Sequence, residues 1–437
     1  MPRQIRSLPL QVPPSGLVPQ WQGQDDIQVG PGRNPDRAPG IALYGQFGCG
    51  NFGNEGSLEA MLGFLRQQVP QARLRCIAVN PEAVRRDHGI AAIPIGAVIP
   101  FPELPGAWGR SLTRVLRKVG NWAYAVRQMS WPDLLLIPGT GILDDFSTGP
   151  WGVPYALFRW CLIARLRGVR IAFISIGAGP ICHPLSRWFM KSAARLAHYR
   201  SYRDEISRDY MRSIGFSVQD DPIYPDIAFR LPDPPLPAPS PDGTGLVVGV
   251  GVMAYYGWAN NAGTGESIYQ TYIGKVAQFV CWLLESGHRV RLLMGETADA
   301  RAVGDVLRSV ASLQSGFTEG RISAEPATSL RDVMSQVAAT DIVVATRFHN
   351  VVCALKLGKP TLSLSYARKN DVLLAEMGLG TFCQPVEDID LDRLKAQFGT
   401  LVAGRDRHRQ QIQDMVAHYS ERLQQQEEIL LTRLIRR

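Results

Sequence analysis

From Gly40 onward the chain alternates short apolar runs with stretches in which hydrophobic positions recur at three- and four-residue spacing. That alternation predicts an α/β fold built on mainly parallel sheet, because each buried strand is followed by a helix that covers it. In the first unit, IALY at 41–44 predicts a strand, a glycine loop follows, and Leu58, Met61, Leu62, Leu65 and Val69 then share one helical face. RLRCIAVN predicts the next strand. PDLLLIPGTG and VRIAFISIGAGP predict two buried strands, each running into a glycine turn, with YALFRWCLIARLRG as the helix between them. Three strands that end in glycine turns imply a sheet whose carboxyl edge forms a binding crevice.

The proline-dense stretch LPDPPLPAPSPDG, 231–243, interrupts this rhythm and reads as an interdomain linker. Beyond it the pattern restarts. GLVVGVGV, HRVRLLMG, DIVVATR and KPTLSLSY predict strands, and IGKVAQFVCWLLESG, LRDVMSQVAAT and HNVVCALKLG predict helices. The expected organisation is a flexible tail over 1–38, a Rossmann-like domain over 39–231, a linker over 232–243, a second Rossmann-like domain over 244–400, and a terminal helix over 401–437. That helix carries Ile412, Val416, Tyr419 and Leu423 on one stripe, which predicts packing on the body of the protein. Its basic end, TRLIRR, offers a membrane surface as the alternative.

Composition agrees with this division and removes several classes. A chain of 437 residues exceeds one ordinary core, and 45% hydrophobic with 20% charged residues is normal for a globular protein. The net charge of +8 favours anionic partners, but no Lys/Arg-dense run lies outside the tails, so no nucleic acid is expected. Seven widely spaced cysteines without a C-x-x-C pair fit reduced thiols in a cytoplasm and argue against a zinc site. MPRQIRSLPLQVPPSG lacks the apolar core of a signal peptide. The longest apolar region is interrupted by Arg159, Arg165, Arg167 and Arg170, which excludes a simple membrane span.

The candidate chemistry lies at strand ends. YGQFGCGNFGNEGS contains Gly48-x-Gly50-x-x-Gly53 ahead of a helix, an arrangement that aims free backbone N–H groups and the positive dipole end at an anion. No Gly-Lys-Ser/Thr follows, so it is not a nucleotide P-loop. A dinucleotide turn is disfavoured because the loop continues through Asn54, Glu55 and Gly56, the second strand ends at Asn80-Pro81 without a ribose-binding acid, and Glu55 would repel a pyrophosphate. Gly50, Asn51 and Asn54 are therefore taken as substrate-binding positions, with a purely structural turn as the alternative, and no cofactor or metal is expected. Arg347 and His349, two apart at a strand end, face the same way if strand geometry persists and would bind a phosphate or carboxylate, with Lys369 adding charge. Arg203 stands where a strand turns into a helix capped by Asp204 and is free to point into a cleft. Tyr255 and Trp258, in a loop rich in aromatic and amide groups, are suited either to a sugar ring or to ordinary packing.

Taken together, GNFGNEGSLEAML, DLLLIPGTGILDD, SIGAGP, YRDEIS with YPDIAF, and DIVVATRFHNVVCALKLGKPTLSLSYARK resemble the polysaccharide pyruvyl transferase family, in the family's order across roughly 40–385. The Arg-x-His strand end followed by the Lys-Pro and Tyr-x-x-Lys segment is the most specific of these. The resemblance implies two Rossmann-like domains facing a cleft, similar to the glycosyltransferase B fold. It also implies phosphoenolpyruvate as co-substrate, a saccharide diol as acceptor, and a cyclic pyruvate ketal plus phosphate as products. By the family pattern Arg203, Arg347 and His349 hold the donor's phosphate and carboxylate. One departure is Gly53-Asn54-Glu55 where family members commonly have Gly-Asp-Glu; Asn hydrogen-bonds but is neither acid nor base.

An enol phosphate turns electrophilic at C2 only when C3 is protonated, and two hydroxyls must then lose protons, so acid, base and cations are all needed. His349 is the expected acid or phosphate ligand. Asp144 or Asp145, beyond the Gly139-x-Gly141 turn, and Glu55 are expected to position or deprotonate the acceptor. The expectation is a cytoplasmic ketal-forming pyruvyl transferase acting on a surface polysaccharide or its lipid-linked precursor, with peripheral contact at the inner membrane. The rivals are a nucleotide-sugar glycosyltransferase and a non-catalytic glycan-binding member.

Overall fold

The computed structural model describes residues 37–97, 106–145, 148–235, 245–257, 264–313 and 320–436. The expected tail up to residue 36, the linker from 236 to 243, and Trp258 lie outside the described residues.

Two six-stranded parallel sheets form the frame. The first holds β1 (Gly40–Tyr44), β2 (Arg73–Ala78), β3 (Ala91–Pro94), β4 (Leu134–Pro138), β5 (Arg170–Ile176) and β6 (Tyr199–Tyr202), in the order β3-β2-β1-β4-β5-β6. The second holds β7 (Val247–Gly251), β8 (Arg289–Leu293), β9 (Ile322–Ser323), β10 (Ile342–Ala345), β11 (Thr361–Ser365) and β12 (Cys383–Pro385), in the order β12-β11-β10-β7-β8-β9. Each sheet reverses its order beside its first strand, between β1 and β4 and between β7 and β10, and a crevice opens beyond the carboxyl ends at such a point. The three glycine-turn strands foreseen in the sequence, β1, β4 and β5, are neighbours there.

Both faces of these strands are covered, which is why they read as unbroken apolar runs. In β1, Ile41 and Leu43 pack into a core that continues into the second domain, while Ala42 and Tyr44 face a separate core under the helices Gly106–Gln128, Val153–Leu166 and Pro184–Leu196. Two of those helices, Gly106–Gln128 and Pro184–Leu196, were not singled out from the sequence.

The terminal helix Arg405–Ile429 crosses back to the first domain. Gln426, 2% exposed, accepts from Ser175 Oγ at 3.1 Å and donates to Ser201 Oγ at 2.7 Å, while Arg230 pairs with Glu427 at 2.5 Å. Ser175 has φ of 47°, a sterically costly value for a residue with a side chain, next to an irregularity in the β5–β6 pairing; its amide donates to Ser201 Oγ, so Gln426 and Ser201 hold the bulge between them. Leu430, Leu434 and Ile435 are buried, so the apolar side chains of this end face the core and not a membrane.

Candidate functional site

The first wall of the crevice is the loop after β1. Asn51 caps the helix Phe52–Gln68, its Oδ1 accepting from Gly53 N at 3.1 Å and Asn54 N at 3.2 Å. The same loop docks onto the second domain. Asn51 Nδ2 donates to Glu296 at 3.3 Å, Phe52 N to Gly295 O at 3.3 Å, and Thr297 N to Gly50 O at 3.2 Å. Gly50 has φ of 83°, and a Cβ there would sit 3.0 Å from Thr297 Oγ1. Asn51 and Gly50 thus join the domains where a ligand contact was expected.

Glu55 and Asn54 turn back onto their own loop. Glu55 accepts from Gly48 N at 2.6 Å and lies 3.6 Å from His88 Nε2, so its carboxylate stabilises the turn that was to be its platform. Asn54 Nδ2 donates to Gln46 O at 3.4 Å, a role that an ionised Asp could not fill.

The Arg347–His349 pair does not share a face. β10 ends at Ala345, Arg347 is the extended residue capping the helix Phe348–Lys356, and His349 already lies in its first turn, so the two side chains diverge. Arg347 donates Nε to Asp299 Oδ2 at 2.9 Å and Nη2 to Asp299 Oδ1 at 2.6 Å, with Glu296 at 2.7 Å from Nη2. Asp299, 0% exposed, also accepts from Ala254 N, Gly295 N and Glu296 N. Arg347 therefore fastens the β8 loop that receives Asn51.

His349 points to the interdomain junction. Its ring lies against Gly53, where a Cβ would fall 1.9 Å from Nδ1, and its buried Nε2 stands 3.8 Å from Asp226 Oδ2 without a protein hydrogen-bond partner. Burial, reinforced by Arg203, Lys369 and Arg347, holds the imidazole well below its ordinary 6.5, so it is neutral at pH 7.

Arg203 supplies the opposite wall. Its guanidinium lies 3.4 Å from both Asp226 and Asp204, within reach of Gly177, whose hypothetical Cβ would sit 2.7 Å from Nη2. It stands 5.0 Å from the Phe348 ring centroid, and Lys369 Nζ stands 5.0 Å from the same centroid. Lys369 reaches that ring from the first turn of the helix Arg368–Glu376, not from the strand end. Two cations, one from each domain, thus each stand 5.0 Å from the centroid of one aromatic ring, with His349 beside it, 5.2 Å from Phe348 ring to ring.

Gly141 and Asp144 border this group: a Cβ at Gly141 would lie 3.7 Å from Asp144 Oδ2 and 3.9 Å from Arg203 Nη2. Asp145 is separated from it, since its carboxylate accepts from Cys182 N and His183 N, both at 2.9 Å. Gly139, with φ of 53°, packs against Ile227 and is part of the core. Tyr255 is 4% exposed with its hydroxyl on Glu387 at 2.5 Å, so its ring face is not offered to a sugar.

Sequence reading assigned no role to Asp226, Glu296 or Asp299. Asp226 sat in the quoted YPDIAF stretch; its burial at 4% exposure, which raises its carboxyl while Arg203 pulls it back down, is a tertiary property. Among the described residues no group of three or more His, Cys, Asp or Glu is placed to hold a metal, and no helix is long and apolar enough to cross a membrane.

Comparison with solved structures identifies the architecture. UDP-GlcNAc 2-epimerase from Neisseria meningitidis bound to UDP-GlcNAc superposes with a TM-score of 0.53 at 13% identity, over 86% of this chain and 94% of that one. A putative UDP-N-acetylglucosamine 2-epimerase from Listeria monocytogenes gives 0.54 at 10% identity, over 86% and 91%. The lipopolysaccharide outer core galactosyltransferase WaaB in its apo form gives 0.50 at 12% identity, over 89% and 99%. At such identities the likeness establishes the fold, two parallel-sheet α/β domains of the glycosyltransferase B kind. No curated protein matches the chain in sequence. The polysaccharide pyruvyl transferase family model matches residues 51–368, most of the chain, and the protein belongs to that family of transferases.

Proposed function

We propose that the protein transfers the pyruvyl group of phosphoenolpyruvate to two hydroxyls of a saccharide of a surface polysaccharide or its lipid-linked precursor. The observation that carries this reading is that Arg203 and Lys369, from opposite domains, both flank the Phe348 ring beside a neutral His349. Two cations from opposite domains suit a small donor with two anionic groups, and closure of the domains on that donor desolvates it.

In the proposed reaction C3 of the enol phosphate gains a proton, both acceptor oxygens form bonds to C2, and the C2–O bond to phosphate breaks. Of the two hydroxyl protons released, one balances the new methyl group and the other leaves on phosphate. His349 is the acid toward C3. Burial first, and then Arg203, Lys369 and Arg347, hold the imidazole neutral; the bound donor's negative charge offsets those cations and so raises its proton affinity when the proton is needed. Asp144, beside Gly141 and Arg203, is the base for the acceptor hydroxyl. Arg347 acts by holding Asp299 and the β8 loop in place. All seven thiols are unpaired, which supports a reducing cytoplasm as the site of action.

Calorimetric titration with phosphoenolpyruvate and with UDP-sugars tests the donor. Binding of phosphoenolpyruvate, followed by phosphate release and a pyruvate ketal on the acceptor by mass spectrometry, is the expected result; binding of a nucleotide sugar alone overturns it.

A further inference from the structure

We infer that the outer surface of the helices Gly106–Gln128, Val153–Leu166 and Pro184–Leu196 docks on an anionic lipid bilayer and holds the mouth of the cleft against it. These three helices contain no Asp or Glu. No acid occurs between Asp145 and Asp204 either, so the segment that holds two of these helices carries cations and no acid of its own. Arg117, Lys118, Arg127, Arg165, Arg187 and Arg195 are exposed there. The chain's net charge of +8 thus has a face.

Apolar exposure is concentrated on the same surface. Among the described residues the exposed large hydrophobic side chains are Leu116, Val119, Val126, Trp151, Leu166 and Trp188, all here, and only Val79 and Leu313 elsewhere. Leu116, Val119 and Val126 fall at helical spacing and form an outward stripe. Trp151 and Trp188, 57% and 52% exposed, are bridged by Phe189, at ring distances of 5.7 and 5.2 Å, and Lys118 Nζ stands 3.8 Å over the Trp151 ring. Indole rings beside basic residues and bare aliphatic groups match the headgroup region of an anionic membrane, where tryptophan settles and Lys/Arg find lipid phosphates. A nucleic acid would use the cations and leave the aliphatic stripe unaccounted for.

The placement has a consequence for the site. Trp151 precedes the helix that follows β4, and Trp188 lies in the helix that follows β5, so both stand at the carboxyl edge of the first sheet. The two connecting loops are tied together by Asp145 on Cys182 N and His183 N, and they carry Gly141, Asp144 and Gly177 of the cleft. A bilayer under the two indoles therefore borders the loops that receive the acceptor, and a lipid-anchored saccharide reaches Asp144 without leaving the surface.

The test uses the full-length protein without donor or acceptor, so its outcome is independent of the pyruvyl reading. Phosphatidylglycerol-rich vesicles are expected to sediment the protein at low salt, less at high salt, and phosphatidylcholine vesicles not to. Brominated acyl chains are expected to quench its tryptophan fluorescence. Arg117→Glu with Lys118→Glu is expected to weaken binding by roughly tenfold or more. Trp151→Ala with Trp188→Ala is expected to abolish most of the quenching, and both double variants should keep the native thermal midpoint. No sedimentation of the native chain, or undiminished sedimentation of both variants, overturns the proposal. Binding to a DNA duplex that vesicles fail to displace overturns it in favour of a polyanion.

Discussion

Arg347 and Asp299 form a two-pronged ion pair, Nε to Oδ2 at 2.9 Å and Nη2 to Oδ1 at 2.6 Å, on the loop after β8. The pair is asymmetric in its other partners. Asp299 retains three backbone N–H donors if Arg347 is removed, whereas removal of Asp299 leaves Arg347 facing Glu296 and orphans those three amides as well. Asp299→Ala is expected to cost about 3–5 kcal/mol, the range for breaking a buried pair, and Arg347→Ala about 1–3 kcal/mol. Urea denaturation checks the order; equal losses would show that Asp299 is not the anchor of the loop.

Lys369 separates donor binding from stability. Its ammonium lies over the faces of Phe348 and Tyr366, at 5.0 and 4.9 Å, from a first-turn position, and no acid among the described residues pairs with it. Lys369→Gln is expected to weaken phosphoenolpyruvate binding by about tenfold or more, in line with a lost charge-assisted contact, while the thermal midpoint stays close to native. Unchanged affinity in calorimetry would remove Lys369 from the donor site.

His349 gives the site a pH signature. Its folded pKa lies below 6.5 and the unfolded value is near 6.5, so between the two the unfolded chain binds more protons and folding stability falls as pH drops below about 6.5. The slope from one such group is at most about 1.4 kcal/mol per pH unit. His198, His288 and His408 are also depressed by burial, so His349→Gln, which should flatten the curve without abolishing it, isolates the contribution. Donor binding near pH 7 is expected to take up a proton in the native protein and not in His349→Gln, measured as buffer-dependent binding enthalpy. Equal uptake in both would assign the proton to another group.

The architecture was legible because it follows from local pattern. Buried runs such as LLLIP in β4 and helical spacing in Leu58–Val69 report their own structure. The helix Gly106–Gln128 was missed although its apolar positions recur, because Arg and Gly residues interrupt them and its outward stripe stays apolar. The site was legible as residue types and illegible as directions. Arg347 and His349 were recognised, but a strand that stops two residues early sends one to Asp299 and the other to Gly53, and no local spacing encodes where a strand yields to a helix cap. Glu55 reads as a group to position or deprotonate the acceptor, and Tyr255 as a sugar contact or ordinary packing, because their partners, Gly48 N and Glu387, become neighbours only in the folded chain.

Gly53 and His349 provide the sharpest test of the site, because the local and tertiary demands on Gly53 oppose each other. Gly53 sits in the first turn of a helix at a backbone conformation open to any residue, where alanine is ordinarily favoured over glycine by roughly 0.5–1 kcal/mol. Against this, a Cβ would fall 1.9 Å from His349 Nδ1 and 2.1 Å from its Cε1, so the imidazole must move. Gly53→Ala is therefore expected to destabilise the native chain by about 1–3 kcal/mol and to cut turnover steeply. The same substitution in a His349→Ala background is expected to be neutral or stabilising, as the clash is gone and only the helical preference remains. A sign change between the two backgrounds, read by thermal denaturation as a double-mutant cycle, locates the imidazole against Gly53. If Gly53→Ala destabilises both backgrounds equally, the glycine is required by its own loop, and the packing of His349 against the first domain is not what selects it.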